Sequence, residues 1–153
     1  MLEYDTANCS LGAAVGIIGE RQTFLVLREA FNGVRRFDDM RRRTAMPRQV
    51  LSDRLARLVD EGLLRKVPYQ DSGQRRRDEY RLTEKGLDLY PVLVALMAWG
   101  DRYGVGAAGP ATLLQHRDCG EPVQLQVTCR AGHVLDSARD VTPVPGPGAR
   151  KIA

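Results

Sequence analysis

Apolar residues recur at helical spacing through the first sixty positions, in stretches that end on glycine or proline. Ser10 can cap a helix running through Leu11, Ala14, Val15 and Ile18 to Gly19. A second helix is predicted over about 20–32, with Phe24, Leu25, Leu27, Ala30 and Phe31 apolar and Gly33 as its stop. A third, over about 37–43, puts Phe37 and Met40 on one face and Arg41, Arg42 and Arg43 at its C-terminal end, where cations suit the helix dipole. A fourth starts near Pro47, a residue suited to the first helical position, and ends at Gly62. Leu51, Leu55, Leu58 and Val59 share one of its faces, and Gln49, Ser52, Asp53 and Ala56 lie opposite.

After Gly62 the pattern changes. Leu64–Gln70 reads as a strand, Asp71–Gln74 as a hairpin loop and Arg75–Leu82 as the return strand. Thr83 can cap a further helix reaching about Tyr103, which Pro91 must kink or restart. Leu87, Tyr90, Leu93, Val94, Leu96, Met97 and Trp99 give that helix an apolar face broader than a small domain can cover, so a partner chain is expected on it. Residues 104–111 read as a linker. Thr112–Arg117 and Pro122–Cys129 read as short strands of a β-hairpin appendage over 112–140, and 141–153 as a flexible Pro/Gly-rich tail. The expected fold is α+β, mainly α. It comprises a winged helix-turn-helix with a long C-terminal dimerisation helix (1–103) and a small β-hairpin extension.

Charge sharpens this picture. Residues 35–87 hold 15 of the 23 Lys and Arg and 9 of the 19 Asp and Glu, a local net of +6 in a chain of net +4. A cation excess confined to one segment suits a polyanion-facing surface, although a solvated charged face would look the same. No apolar run approaches the ~20 residues of a bilayer span. The first residues show no signal-peptide pattern, and three cysteines suit a reducing cytosol, so the expected location is cytoplasmic with no membrane partner.

A winged module puts one helix, here about 47–61, in the major groove and the wing, 64–82, on the minor groove or backbone. Gln49, Ser52 and Asp53 face away from the core side and can meet base edges, Gln pairing with adenine and Asp accepting from cytosine N4. Arg48 could take guanine or a phosphate, and Arg54 a phosphate. Alternate side chains of a strand face opposite sides, so one or two of Arg75, Arg76 and Arg77 should reach DNA while the others pair with Asp71, Asp78 or Glu79.

The ordered landmarks from Cys9 to Trp99–Gly100 resemble the HxlR-type family of winged-helix bacterial transcription regulators, relatives of the MarR group. They include Gly19–Glu20–Arg21, Thr23–Phe24–Leu25–Val26–Leu27–Arg28–Glu29, Arg36–Phe37 with Met40, and Val50–Leu51–Ser52–Asp53–Arg54–Leu55. Glu61–Gly62–Leu63, Tyr80–Arg81–Leu82–Thr83–Glu84–Lys85–Gly86 and Pro91–Val92–Leu93 complete the set. The resemblance implies a homodimer, joined through the first and last helices, that binds palindromic operator DNA, most often as a repressor. Gln22 stands where the family usually has Trp, and Pro47 where it usually has a capping Ser. The second change removes a capping oxygen worth about 1 kcal/mol.

Some such relatives sense oxidants through a cysteine near Cys9. A thiol before a helix N-terminus can have a lowered pKa, and a small buried residue at the dimer seam is the alternative. An apolar effector could sit between the long helix and the domain body, but no residue names one. His116–x2–Cys119 and Cys129–x3–His133 match the donor set of a structural zinc, while a disulfide or two unused thiols would also account for the cysteines. Nothing in the sequence matches a phosphate-binding glycine loop, a supported Ser–His–Asp order or HExxH, so no enzyme is expected. The competing classes are a winged protein-docking module without DNA and a small metalloenzyme on the C-terminal Cys/His set.

Overall fold

A computed structural model of the chain describes residues 5–73 and 75–151. Gln74 of the expected hairpin loop, residues 1–4 of the expected first domain and the last two tail residues lie outside them.

Four helices open the fold: α1 (Ser10–Ile18), α2 (Arg21–Phe31), α3 (Phe37–Thr44) and α4 (Arg48–Asp60). An antiparallel hairpin of β1 (Leu64–Tyr69) and β2 (Arg77–Leu82) follows, then α5 (Glu84–Leu87) and α6 (Tyr90–Tyr103). The described residues form two compact units, Ser10–Leu93 and a second made of the residues before Ser10 with those from Val94 onward.

The core of the first unit comes from one stripe of each helix. Val26 and Leu27 of α2, Met40 of α3 and Leu51, Leu55 and Leu58 of α4 are buried with Leu63 and Leu64. α2 packs on both α3 and α4, the helix-turn-helix pair. Its inward face differs from the expected one: Thr23 and Val26 are buried, whereas Phe24, Leu25, Ala30 and Phe31 are only partly so. α1 differs more, because only Ile18 is buried and Leu11, at 72% exposed, and Val15 stand in solvent. Ser10 is the first residue of α1 rather than its cap.

Gly33 (φ +77°) and Gly62 (φ +69°) end α2 and α4 in the left-handed region, which glycine enters without a Cβ penalty. Pro47 sits one position earlier than expected, at the N-cap of α4, and makes no side-chain capping bond. The arginines ending α3 do more than match its dipole: Arg42 pairs with Asp39 at 2.8 Å, and Arg43 lies 3.7 Å from Glu29, which is only 3% exposed.

The wing is fastened at its base. The Thr83 hydroxyl accepts from Gly86 N–H at 3.1 Å and donates to the Gly62 carbonyl at 2.6 Å. Thr83 N–H donates to the Leu63 carbonyl at 3.1 Å, and Lys85 Nζ donates to the Glu61 carbonyl at 2.6 Å. Gly86 lies so close to the Leu63 carbonyl that a Cβ would overlap it. Of the two outcomes expected at Pro91, the helix restarts: α5 ends at Leu87 and α6 begins at Tyr90, with Pro91 in its first turn, where a missing N–H costs nothing.

In the second unit the expected strands 112–117 and 122–129 do not form. Isolated bridges Gln115↔Pro122 and Thr128↔Val134 stand in their place. Val123, Leu125 and Val127, which alternate along the second of these segments, are all exposed. Arg150 accepts from Asp5 N–H at 2.9 Å and Gly148 from the Asn8 side chain at 3.1 Å, which ties the Pro/Gly-rich tail to the first described residues.

Candidate nucleic-acid interface

The outward face of α4 is set by the burial of the inward one. With Leu51, Leu55 and Leu58 inside, Arg48, Gln49, Ser52, Asp53 and Ala56 are all exposed. Gln49 and Asp53 are one helical turn apart and coupled: Gln49 Nε2 donates to Asp53 Oδ1 at 2.8 Å. Arg48 lies over the Phe37 ring at 5.2 Å, which holds its guanidinium at the helix N-terminal end.

The hairpin stands beside this face. Its register pairs Leu64 with Leu82 and Tyr69 with Arg77. β2 begins at Arg77, not Arg75, so Arg75 and Arg76 belong to the loop and the expected strand alternation of the three arginines does not apply. All three are exposed. Arg77 pairs with Asp38 at 3.4 Å, across to α3. Asp38 is not among the expected partners; of those, Asp71 pairs with Arg36 and Glu79 with Arg81.

Arg48, Phe37, Tyr69 and Arg75–Arg77 line one open cleft of about 500 Å³ with Asp38 and Asp78. A second concavity continues from it along Gln49, Ser52 and Tyr80. Burial raises the Tyr80 phenol above its ordinary pKa, with the Asp78 charge adding to the shift, so the group is a neutral donor at physiological pH.

Two features of this surface have no sequence signature. Arg36 braces the wing, its two terminal nitrogens donating to the two Asp71 oxygens at 2.9 Å each while its guanidinium lies 4.4 Å from the Tyr69 ring centre. The Asp71 hydrogen bonds hold the guanidinium still more firmly protonated than usual. Arg35 adds a backbone tie, its carbonyl accepting from Tyr80 N–H at 2.8 Å. The second feature is at Arg54, expected on a phosphate: it is half-buried and paired with Glu20, which also meets Arg57 at 3.2 Å. These pairs join residues more than thirty positions apart, so no local pattern announces them.

The remaining candidates lie in the second unit. Cys9 is exposed and forms no disulfide. His116 lies with Cys119, and Cys129 with His133, as two close pairs; among the described residues no three metal-ligand side chains share one centre. No described helix is long and apolar enough to cross a membrane.

Residues 17–107 match the model of the HxlR-like helix-turn-helix family. An uncharacterized HTH-type transcriptional regulator of Mycobacterium tuberculosis is 48% identical over 91% of this chain and 87% of its own. The crystal structure of PA1607, described as a transcription-factor candidate, is 35% identical with TM-score 0.81, covering 92% of this chain and 96% of that one. A MarR-family regulator structure from Enterococcus faecalis is 28% identical with TM-score 0.54, covering 63% of this chain and 87% of that one.

Proposed function

The chain belongs to the HxlR-like helix-turn-helix family of transcriptional regulators, and on that premise we propose that two copies bind one palindromic operator and repress transcription there. The observation that carries the reading is the cleft itself. It combines an exposed polar helix face with the cationic Arg75–Arg77 run, beside a wing braced by the Arg36–Asp71 pair. Base edges in the major groove would be met by Gln49, Ser52 and Asp53, and phosphates by Arg48 and the wing arginines. Arg54 serves the fold through Glu20.

The dimer has its own support. Val92, Leu96, Trp99 and Tyr103 recur at three- and four-residue spacing along one side of α6 and are exposed, Trp99 at 64%. A continuous apolar stripe of this kind is costly in water and marks a surface to be covered. Repression is the outcome wherever the operator overlaps a promoter, since a protein seated there excludes other proteins from it.

The test is stoichiometry. Sedimentation of the protein with a duplex carrying its upstream control region should show two chains per duplex, and Trp99→Glu should yield monomers with much weaker binding. A wild-type protein that binds the duplex as a single chain would refute the dimeric reading. Protein that ignores every duplex at moderate salt would favour a protein-docking module.

A further inference from the structure

Residues 104–151 hold a defined course without an interior. Among them none is buried, and only Pro110, Leu114, Cys129 and Leu135 are half-buried. The stretch has no α-helix and no strand beyond isolated bridges. Apolar burial cannot offset the chain entropy of such a segment, so its order calls for a staple.

Two turns carry suitable chemistry. In the first, His116 N–H donates to the Glu121 carbonyl at 2.8 Å and the His116 carbonyl accepts from Gly120 N–H at 2.9 Å. In the second, Cys129 N–H donates to the His133 carbonyl at 3.0 Å and the Cys129 carbonyl accepts from Gly132 N–H at 2.9 Å. Each turn is thus closed through the backbone of its first ligand-type residue, and each uses a left-handed glycine, Gly120 at φ +75° and Gly132 at φ +87°.

The side chains complete the resemblance between the turns. His116 Nδ1 lies 3.2 Å from Cys119 Sγ, and His133 Nδ1 lies 3.4 Å from Cys129 Sγ. A zinc ion bonded to sulfur at about 2.3 Å and to nitrogen at about 2.05 Å, at the tetrahedral angle, sets the two donors about 3.5 Å apart. Each pair is therefore already close to one edge of such a tetrahedron. The thiols have not joined as a disulfide.

We propose that residues 116–133 form a structural zinc site in which the His116–Cys119 turn and the Cys129–His133 turn close on a single ion. The two pairs do not share a centre in the structure; in the proposed site each turn supplies two of the four donors and the metal draws the turns together. Binding displaces one proton from each thiol, and the two thiolates neutralise the dication. Mixed thiolate and imidazole donors favour zinc over magnesium or calcium. The site lies beyond the 17–107 match and does not depend on the DNA-binding reading.

The experiment uses the full chain, made in zinc-supplemented medium and purified anaerobically without chelator. Elemental analysis should give about one zinc per chain, falling below ~0.2 in Cys119→Ser and in His133→Asn. Cobalt(II) added to the demetallated wild type should give the intense visible bands of a tetrahedral thiolate site, a readout that needs no variant to fold. Wild-type zinc below ~0.2 per chain overturns the proposal, as do full zinc retention in either variant, an ion shared between two chains, or a Cys119–Cys129 disulfide in the anaerobic protein.

Discussion

Consider replacing Arg75 and Arg76 together with alanine. Both side chains are exposed in the loop, and no ion pair to either is seen among the described residues, so their removal should leave the fold intact. Arg77 stays, because its contact with Asp38 ties it to α3. If each of the two neutralises one phosphate, the slope of log K against log salt should become shallower by about 1.8, at ~0.9 per contact. Between 100 and 400 mM salt, the ratio of wild-type to variant affinity should then shrink by roughly 12-fold, four raised to that slope. Fluorescence anisotropy on one labelled duplex across that range measures it. Arg54→Ala is the internal control. Its partner is Glu20, so the slope should not move, while unfolding becomes easier by about 1 kcal/mol or less. An unchanged slope in the double variant, or a shallower one in Arg54→Ala, would refute this division of the arginines.

Gln49→Ala should change which operator is preferred and release Asp53 from its hydrogen bond; equal weakening on every sequence in a competition assay would remove Gln49 as a reader. Gly86→Ala places a methyl against the Leu63 carbonyl, so thermal unfolding should show a loss of about 1–3 kcal/mol, and an unshifted midpoint would mean the wing base yields freely. Leu96→Glu, in the bare α6 stripe, should shift the protein to monomer in sedimentation without lowering the thermal stability of the winged unit; dimers that persist would place the interface elsewhere.

Much of the winged unit was legible because its signals are local. Gly33 and Gly62 mark helix ends by a backbone conformation that other residues resist, and the Leu51–Leu55–Leu58 spacing allows α4 only one inward face. Where the sequence misled, the deciding partner was distant. Periodicity made α1 amphipathic but could not say that its apolar side is bare, and the apolar positions of α2 run too far round the helix to single out Thr23 and Val26. Arg54 reads as a groove-side cation until Glu20 is seen beside it, and the Arg36–Asp71 brace spans 35 positions. The strands expected after residue 111 had the right alternation but no apolar surface to lie on, so only single bridges form.

The account rests most heavily on paired recognition helices meeting one duplex. Selection from random double-stranded fragments with the purified full-length protein, followed by sequencing, tests it most directly. The predicted result is an inverted repeat whose half-sites are spaced by about one helical turn, roughly 10–10.5 bp or a multiple of it. Enrichment of single, unpaired half-sites, or no enrichment at all, would contradict it.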